Sequence, residues 1–78
     1  MWTISIALDA NSNKSGTITA TWSDTGIEDV IFQLRTDTNT FSAPGFKATA
    51  EAYRDEVLAK RALVAGKVTQ LQDYMNGA

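Results

Sequence analysis

The chain contains no cysteine and no histidine, and it has a single proline. Without cysteine it can form neither a disulfide nor a thiolate metal site, and without histidine it lacks the commonest neutral-pH base and metal ligand. No run of about 18 apolar residues is present that could span a bilayer. Seven basic residues against nine acidic ones give a formal net charge of −2, whereas nucleic-acid-binding domains are typically basic. The composition therefore disfavours thiol or imidazole catalysis, a membrane-spanning protein and a nucleic-acid-binding one.

The 78 residues, 44% of them apolar, predict a single domain that spans residues 1–78. A chain of this length buries only about 60% of the surface that its unfolded form exposes, so we expect a small core. The first residues, Met1 to Ser5, include neither a basic segment nor a continuous apolar one. We therefore predict no signal peptide, and a location in the cytoplasm of the producing cell.

The two halves of the chain differ in composition. Threonine supplies eight of the first 40 residues, and alanine supplies eight of the last 36. The β-branched side chain of threonine favours strands, whereas alanine is the best helix former. The change falls at the turn-like segment Ser42 to Gly45. We predict a β-meander over residues 1–41 and a helical segment over residues 42–78.

Three segments of the first half alternate apolar and polar residues, which is typical of half-buried strands. Loop-forming residues separate them, over Ala10 to Gly16 and Ser23 to Gly26. Such short connections favour a three-stranded antiparallel meander. The apolar residues predicted to face inward are Trp2, Ile4, Ile6, Leu8, Ile18, Ala20, Trp22, Val30, Phe32 and Leu34. The third strand is predicted over residues 28–37.

The second half carries one long apolar stripe with an average spacing of about 3.6 residues, which is the period of an α-helix. The stripe consists of Phe46, Ala50, Tyr53, Val57, Arg61, Val64, Val68, Leu71 and Met75. Pro44 suits a first helical turn, and Asn76-Gly77 suits a C-terminal cap. The predicted fold class is therefore α+β, a three-stranded antiparallel β-meander followed by one long C-terminal amphipathic helix (βββα), with the helix packed on one sheet face.

Charged residues on the helix flank the stripe. Lys47 with Glu51 and Glu56 with Lys60 are spaced i,i+4, which predicts two ion pairs on a solvated surface. Arg61 interrupts the apolar stripe, and we expect its aliphatic stem to lie along that stripe with the guanidinium reaching solvent.

The predicted helix is too long for the predicted sheet. Strands of about seven residues span about 23 Å, whereas a helix from Phe46 to Met75 spans about 45 Å. Either the chain breaks at Ala65-Gly66 and folds back, or the helix continues and its far half packs against another chain, most simply a second copy. We favour the second alternative, because the stripe keeps its phase across Gly66. The residues predicted to mediate self-association are Leu63, Val64, Val68, Leu71 and Met75.

One segment resembles the first half of a calcium-binding loop. Asp9, Asn11 and Asn13 offer oxygen ligands at alternate positions. However, Lys14 stands where such loops need glycine, and Ala20 stands where they need a bidentate glutamate. We interpret the segment as a hairpin loop and predict no metal ligands and no cofactor.

Neither catalysis nor nucleic-acid binding has a clear set of candidate residues. Asp24, Glu28 and Asp29 cluster in a predicted loop with no pocket, so we interpret them as a solvated acidic rim and predict no catalytic residue and no small-molecule substrate. A DNA-binding sheet needs several basic residues on its outer face, and Arg35 is the only one predicted there. A nucleic-acid-binding module that uses the three-stranded sheet therefore remains the alternative to a self-associating protein.

Two segments carry a family resemblance, the hairpin Gly16 to Asp24 with its tryptophan and the alanine-rich helical segment Phe46 to Asp55. In these segments and in its overall layout, the chain resembles small uncharacterised proteins of tailed phages and prophages. The resemblance implies a structural role in a virion or its assembly, a location in the host cytoplasm or the virion, and a partner that is either a second copy or another virion or assembly protein. It implies no catalytic or binding residue.

Overall fold

A computed structural model describes residues 1–77. It contains the strands β1 (Trp2–Leu8), β2 (Ser15–Trp22) and β3 (Val30–Asp37), followed by the helix α1 (Ala43–Met75). The sheet order is β1-β2-β3, and both neighbouring pairs are antiparallel. The predicted α+β layout, a three-stranded meander followed by one helix on the sheet, is confirmed. The third strand begins at Val30 rather than at residue 28.

The strand register gathers the alternating apolar residues on one face of the sheet. Ile4 lies opposite Ala20, and Ala20 lies opposite Phe32. Because successive side chains of a strand point to opposite faces, every second residue of each strand then faces the helix. The other face carries mainly threonine, from Thr3 and Ser5 on β1 to the three threonines of β2.

Gly16, at the start of β2, allows the two strands of the first hairpin to approach each other closely. A Cβ atom at this position would lie 2.4 Å from the carbonyl oxygen of Ala7, which is closer than two such atoms can approach. In the second turn, Gly26 has a φ of 81°, a left-handed conformation that glycine adopts without steric cost. Both glycines are therefore required by the backbone geometry of the meander, one by a close approach of two strands and the other by a turn.

The helix has a capping residue at each end. The Oγ of Ser42 accepts a hydrogen bond of 3.1 Å from the backbone N–H of Gly45, and Pro44 occupies the first turn. At the other end, the N–H of Asn76 donates to the carbonyl of Gln72, and Gly77 follows with a φ of 76°. The predicted roles of Pro44 and of Asn76-Gly77 are confirmed. Ser42, predicted only as part of the turn, is also the N-cap of the helix.

The fully buried core is small and consists of Ile18, Ala20, Val30 and Ala50. Beside it, Phe32 contacts two aromatic rings of the helix, with centroid distances of 5.6 Å to Phe46 and 5.5 Å to Tyr53. Aromatic pairs at such distances stabilise packing beyond the area that they bury. The helix is therefore held to the sheet mainly over β2 and β3.

Both tryptophans lie on the helix side of the sheet, as the alternation predicts, but they are only half-buried. Trp2 and Trp22 are neighbours across the strands, with ring centroids 5.2 Å apart in an edge-to-face arrangement. The guanidinium of Arg54 lies 4.4 Å above the Trp22 ring and thus covers it with a cation. This end of the sheet is closed by a charged side chain rather than by an apolar one.

The chain is elongated. The principal extents are 61, 25 and 19 Å, and the radius of gyration is 17.8 Å. A compact domain of this length would have a radius of gyration of about 11.5 Å. The difference comes from the helix, which with 33 residues is about 50 Å long and extends past the end of the sheet.

Candidate self-association surface

Arg61 marks the point at which the helix leaves the sheet. Its guanidinium donates hydrogen bonds of 2.6 Å to the carbonyl oxygen of Glu28 and 3.0 Å to that of Asp29, in the connection between β2 and β3. Hydrogen bonds from a charged donor are among the stronger ones. The prediction that this guanidinium reaches solvent is therefore wrong, because it joins the helix to the connection between two strands. The acceptors are backbone oxygens, and the types of the residues do not indicate such a contact.

Beyond Arg61 the helix packs against no other element of the described residues, 1–77. Every residue from 62 to 77 is exposed, and the helix is continuous through Gly66 to Met75. The alternative in which the chain breaks at Ala65-Gly66 and folds back is therefore wrong. Residues 62–75 extend about 21 Å past the sheet, and we call residues 62–77 the overhang.

The overhang carries a row of exposed apolar side chains, here called the overhang stripe, at spacings of four, three and four residues. It consists of Val64, Val68, Leu71 and Met75, with exposures from 57% for Val68 to 74% for Met75. This spacing places the stripe on the same helix face as the sheet-facing Ala50 and Val57. The helix face that the sheet covers before Arg61 therefore continues after Arg61, where nothing in the described chain covers it.

Leu63 differs from the other four predicted self-association residues. It is 64% exposed, but at 3.6 residues per turn its side chain lies about 110° around the helix from the centre of the overhang stripe. One flat partner surface cannot cover both. The geometry therefore brings Val64, Val68, Leu71 and Met75 together and leaves Leu63 outside the group.

The overhang carries almost no charge. Its only charged residues are Lys67 and Asp73, so its net charge is zero. At the base of the overhang lies an open hollow, lined by Val57, Lys60, Arg61, Val64 and Ala65. A nearly neutral apolar surface of this length is uncommon on a monomer and is typical of an interaction site.

Asp9 and Arg35, candidate residues for a cation site and for a nucleic-acid-binding face, are engaged with each other. Arg35 donates two hydrogen bonds to the Asp9 carboxylate, of 3.0 Å and 2.6 Å. The bond from Arg35 lowers the pKa of Asp9 below its usual value.

Among residues 1–77, no group of three or more acidic side chains is arranged to hold a metal ion, and no helix has both the length and the apolar content that a membrane crossing requires.

The Asp9–Arg35 pair predicts a pH dependence of stability. Because the folded pKa of Asp9 lies below the ordinary value of 3.8, the pair stabilises the fold above that value and loses this contribution as the pH falls through the folded pKa. We expect Asp9→Asn to melt at a slightly lower temperature than the unmodified chain near neutral pH, with the difference disappearing at strongly acidic pH. Asp73→Asn, which removes a carboxylate that has no ion-pair partner among the described residues, is the control and should not lower the melting temperature near neutral pH.

Three apolar side chains of β1 are less covered than the sequence predicts. Ile4, Ile6 and Leu8 face the helix side of the sheet, yet each is about half exposed, at 51%, 50% and 51%. The helix crosses mainly over β3 and β2 and leaves β1 open.

Comparison of the chain with known protein families, with curated proteins and with solved structures finds no match.

Proposed function

We propose that this chain is a non-enzymatic structural protein, encoded by a phage or prophage, that self-associates through its C-terminal helix in the host cytoplasm or in a virion. The observation that carries the proposal is the overhang stripe, an apolar surface continuous with the one that the sheet buries. Burying apolar surface against a partner is favourable, because it removes that surface from water. The phage origin and the virion role follow from the layout resemblance alone.

The shape of the monomer favours an antiparallel pair of helices. The sheet lies on the stripe side of the helix as far as Arg61. A partner helix that ran parallel along the overhang stripe would continue into the space that this sheet occupies. An antiparallel partner enters from the free end of the helix, so its own sheet lies beyond Gly77 and the two sheets do not collide.

One antiparallel register uses the whole overhang. It sets Val64 opposite the partner's Met75 and Val68 opposite the partner's Leu71, and by symmetry the reverse. The spacing of four, three and four residues is that of the apolar seam in a two-stranded coiled coil. The end of the partner helix then lies at the hollow beside Arg61, and Lys67 flanks the seam without a like charge opposite it.

Cysteine cross-linking tests this orientation, since the natural chain has no cysteine. We expect a mixture of Val64→Cys and Met75→Cys chains to form a disulfide-linked heterodimer. Val64→Cys alone should cross-link poorly, because 11 helical residues separate the two copies of position 64 by about 16 Å, beyond disulfide reach. Efficient cross-linking of Val64→Cys with itself would contradict the antiparallel arrangement.

We do not extend the proposal to nucleic acid. Arg35, the basic residue on the outer face of the sheet, is held by the Asp9 carboxylate, and the net charge of −2 opposes binding to phosphates. No specific observation on the sheet therefore favours the alternative function. The other partner that the resemblance implies, a different virion or assembly protein, would occupy the same overhang stripe in place of the second copy.

A further inference from the structure

The outer edge of β1 lacks the features that usually keep an edge strand from pairing. Within the described part of the chain, the sheet order leaves one edge of β1 and one edge of β3 without a neighbouring strand. β3 carries Arg35 and Asp37, whereas β1 has no charged residue, no proline and no glycine. Charges and prolines on an edge are the common means of preventing strand addition. The two edges of this sheet therefore differ in kind, and β1 is the one open to a further strand.

The hydrogen-bonding pattern identifies the free backbone groups. At the two ends of the β1–β2 pair, the N–H of Ser23 donates to Met1 and the N–H of Asp9 donates to Ser15. In an antiparallel pair the bonded residues alternate, so the odd-numbered residues of β1 bond to β2. The even-numbered residues direct their N–H and C=O groups to the free edge. These are Trp2, Ile4, Ile6 and Leu8.

We propose that β1 pairs antiparallel with β1 of a second copy, in a contact separate from the helix contact and going beyond the function proposed above. A two-fold axis at Ser5 sets Ile4 opposite the partner's Ile6 and Trp2 opposite the partner's Leu8. This register uses all four pairs of free backbone groups and makes about eight hydrogen bonds. A register shifted by two residues loses one bonded pair, and a shift by one residue faces the wrong backbone groups.

Side chains on the helix side of the sheet fit the same register. Ile4, Ile6 and Leu8 are each half exposed. Pairing buries Ile4 against the partner's Ile6, and Leu8 against the partner's Trp2. A hollow of about 150 Å³ lies between β1 and the helix, with Trp2, Ile4, Phe46 and Ala50 in its lining. A cavity of that volume accommodates a small apolar group such as benzene. The partner's Leu8, opposite Trp2, is positioned at this hollow.

The side chains of β1 are compatible with those of a second β1 in this register, so the partner that we propose for the free edge is a second copy. The cross-strand pairs are aliphatic or aromatic on the helix side, and on the other face Ser5 meets the partner's Ser5 and Thr3 meets the partner's Ala7. No pair brings two like charges together, a situation that would oppose pairing. The resulting sheet has six strands, with both helices on one face.

Disulfide trapping in the full chain tests the register. The Cα atoms of Ser5 and the partner's Ser5, a non-hydrogen-bonded pair, would be about 4.5 Å apart, within the range of a disulfide. We expect Ser5→Cys to form a covalent dimer on mild oxidation, and Thr3→Cys to stay at background, because its two copies would be four residues out of register. Both side chains are exposed on the same face of the same strand, so the pair is closely matched.

The same trapping in a Leu71→Glu background separates this proposal from the helix contact. We expect the Ser5→Cys dimer to persist when the overhang stripe is disrupted. Equal trapping of Ser5→Cys and Thr3→Cys, or no trapping of Ser5→Cys, would overturn the β1 pairing and leave the helix proposal untouched. Loss of trapping only in the Leu71→Glu background would equally overturn the claim that the two contacts are independent.

A proline substitution gives a second readout by removing one free-edge N–H. Ile6→Pro deletes a donor that faces the free edge and spares the hydrogen bonds to β2, whereas Ile6→Thr keeps the donor. In the Leu71→Glu background we expect sedimentation to show monomers for Ile6→Pro and residual dimer for Ile6→Thr, with circular dichroism checking that both are folded. Equal association of the two folded variants would overturn backbone pairing as its basis.

Discussion

Leu71→Glu is expected to raise the Kd of self-association through the helix about a thousandfold. In the antiparallel register Leu71 packs against the partner's Val68, and each dimer contains this contact twice. Replacing a buried leucine costs about 2 kcal/mol per copy, hence about 4 kcal/mol per dimer, and each 1.4 kcal/mol corresponds to a factor of ten. Sedimentation equilibrium over a wide concentration range measures the change, with both chains carrying Ile6→Pro so that the β1 contact does not contribute.

Leu63→Glu is the matched control for this variant. Leu63 and Leu71 are both leucines on the overhang, with similar exposures of 64% and 61%, but Leu63 lies off the overhang stripe. We expect Leu63→Glu to leave the Kd within about threefold of the natural value, which is the size of effect typical of exposed charges. An unmodified chain that stays monomeric at high concentration, or equal effects of the two substitutions, would contradict the proposed surface.

Ile18→Ala is expected to lower the free energy of unfolding by about 3 kcal/mol. Ile18 is 1% exposed, at the centre of the small core, and truncating such a residue removes buried apolar surface and leaves a cavity. A domain of this length has a total stability of about 4–12 kcal/mol, so the loss is a large fraction of it. Urea unfolding in the Leu71→Glu background, at low protein concentration, isolates the monomer from association.

Ile6→Ala provides the comparison, because Ile6 lies directly opposite Ile18 in the sheet and has the same side chain. With half of its surface already exposed, its truncation should cost about 1 kcal/mol in the monomer. If both variants lost the same stability, either the core would lie elsewhere or the helix would cover β1 more fully than the structure indicates.

The strands, the turns and the helix ends could be predicted because their signals are local. The alternation that predicts β1 involves only neighbouring residues, and so does the turn at Gly26. The helix ends at Pro44 and Asn76 are likewise indicated by residues within one turn of them. The overhang could be predicted from two lengths that follow directly from residue counts. The apolar surface could therefore be predicted from the sequence. The separation of Leu63 from the overhang stripe could be predicted as well, because it follows from the helical period alone.

The exposure of β1 could not be predicted, because it depends on where the helix crosses the sheet. A helix is about 10 Å wide, and its side chains cannot cover three strands equally. In this fold Phe32 receives two aromatic rings from the helix, and β1 is left at the margin. The alternating pattern of Ile4, Ile6 and Leu8 looks the same whether or not a helix lies above it.

The predicted ion pairs illustrate the same limit. Glu56 and Lys60 form the expected pair at 3.1 Å. The pair Lys47–Glu51 does not form among the described residues, and Glu51 instead lies 4.0 Å from Arg54. Arg54 is held over Trp22 by a long-range contact, so a tertiary interaction decides which of two helix neighbours the glutamate approaches.

The helix that extends past the sheet also changes how the molecule moves through solvent. With a longest extent of 61 Å against 25 and 19 Å, a single copy has more frictional drag than a sphere of its 8.5 kDa mass. It should leave a gel-filtration column ahead of compact standards of the same mass and imitate a larger species. The number of copies in solution must therefore be determined from the mass, by light scattering or sedimentation equilibrium. Elution volume depends on the length of the molecule, so an elongated monomer would elute like a compact dimer.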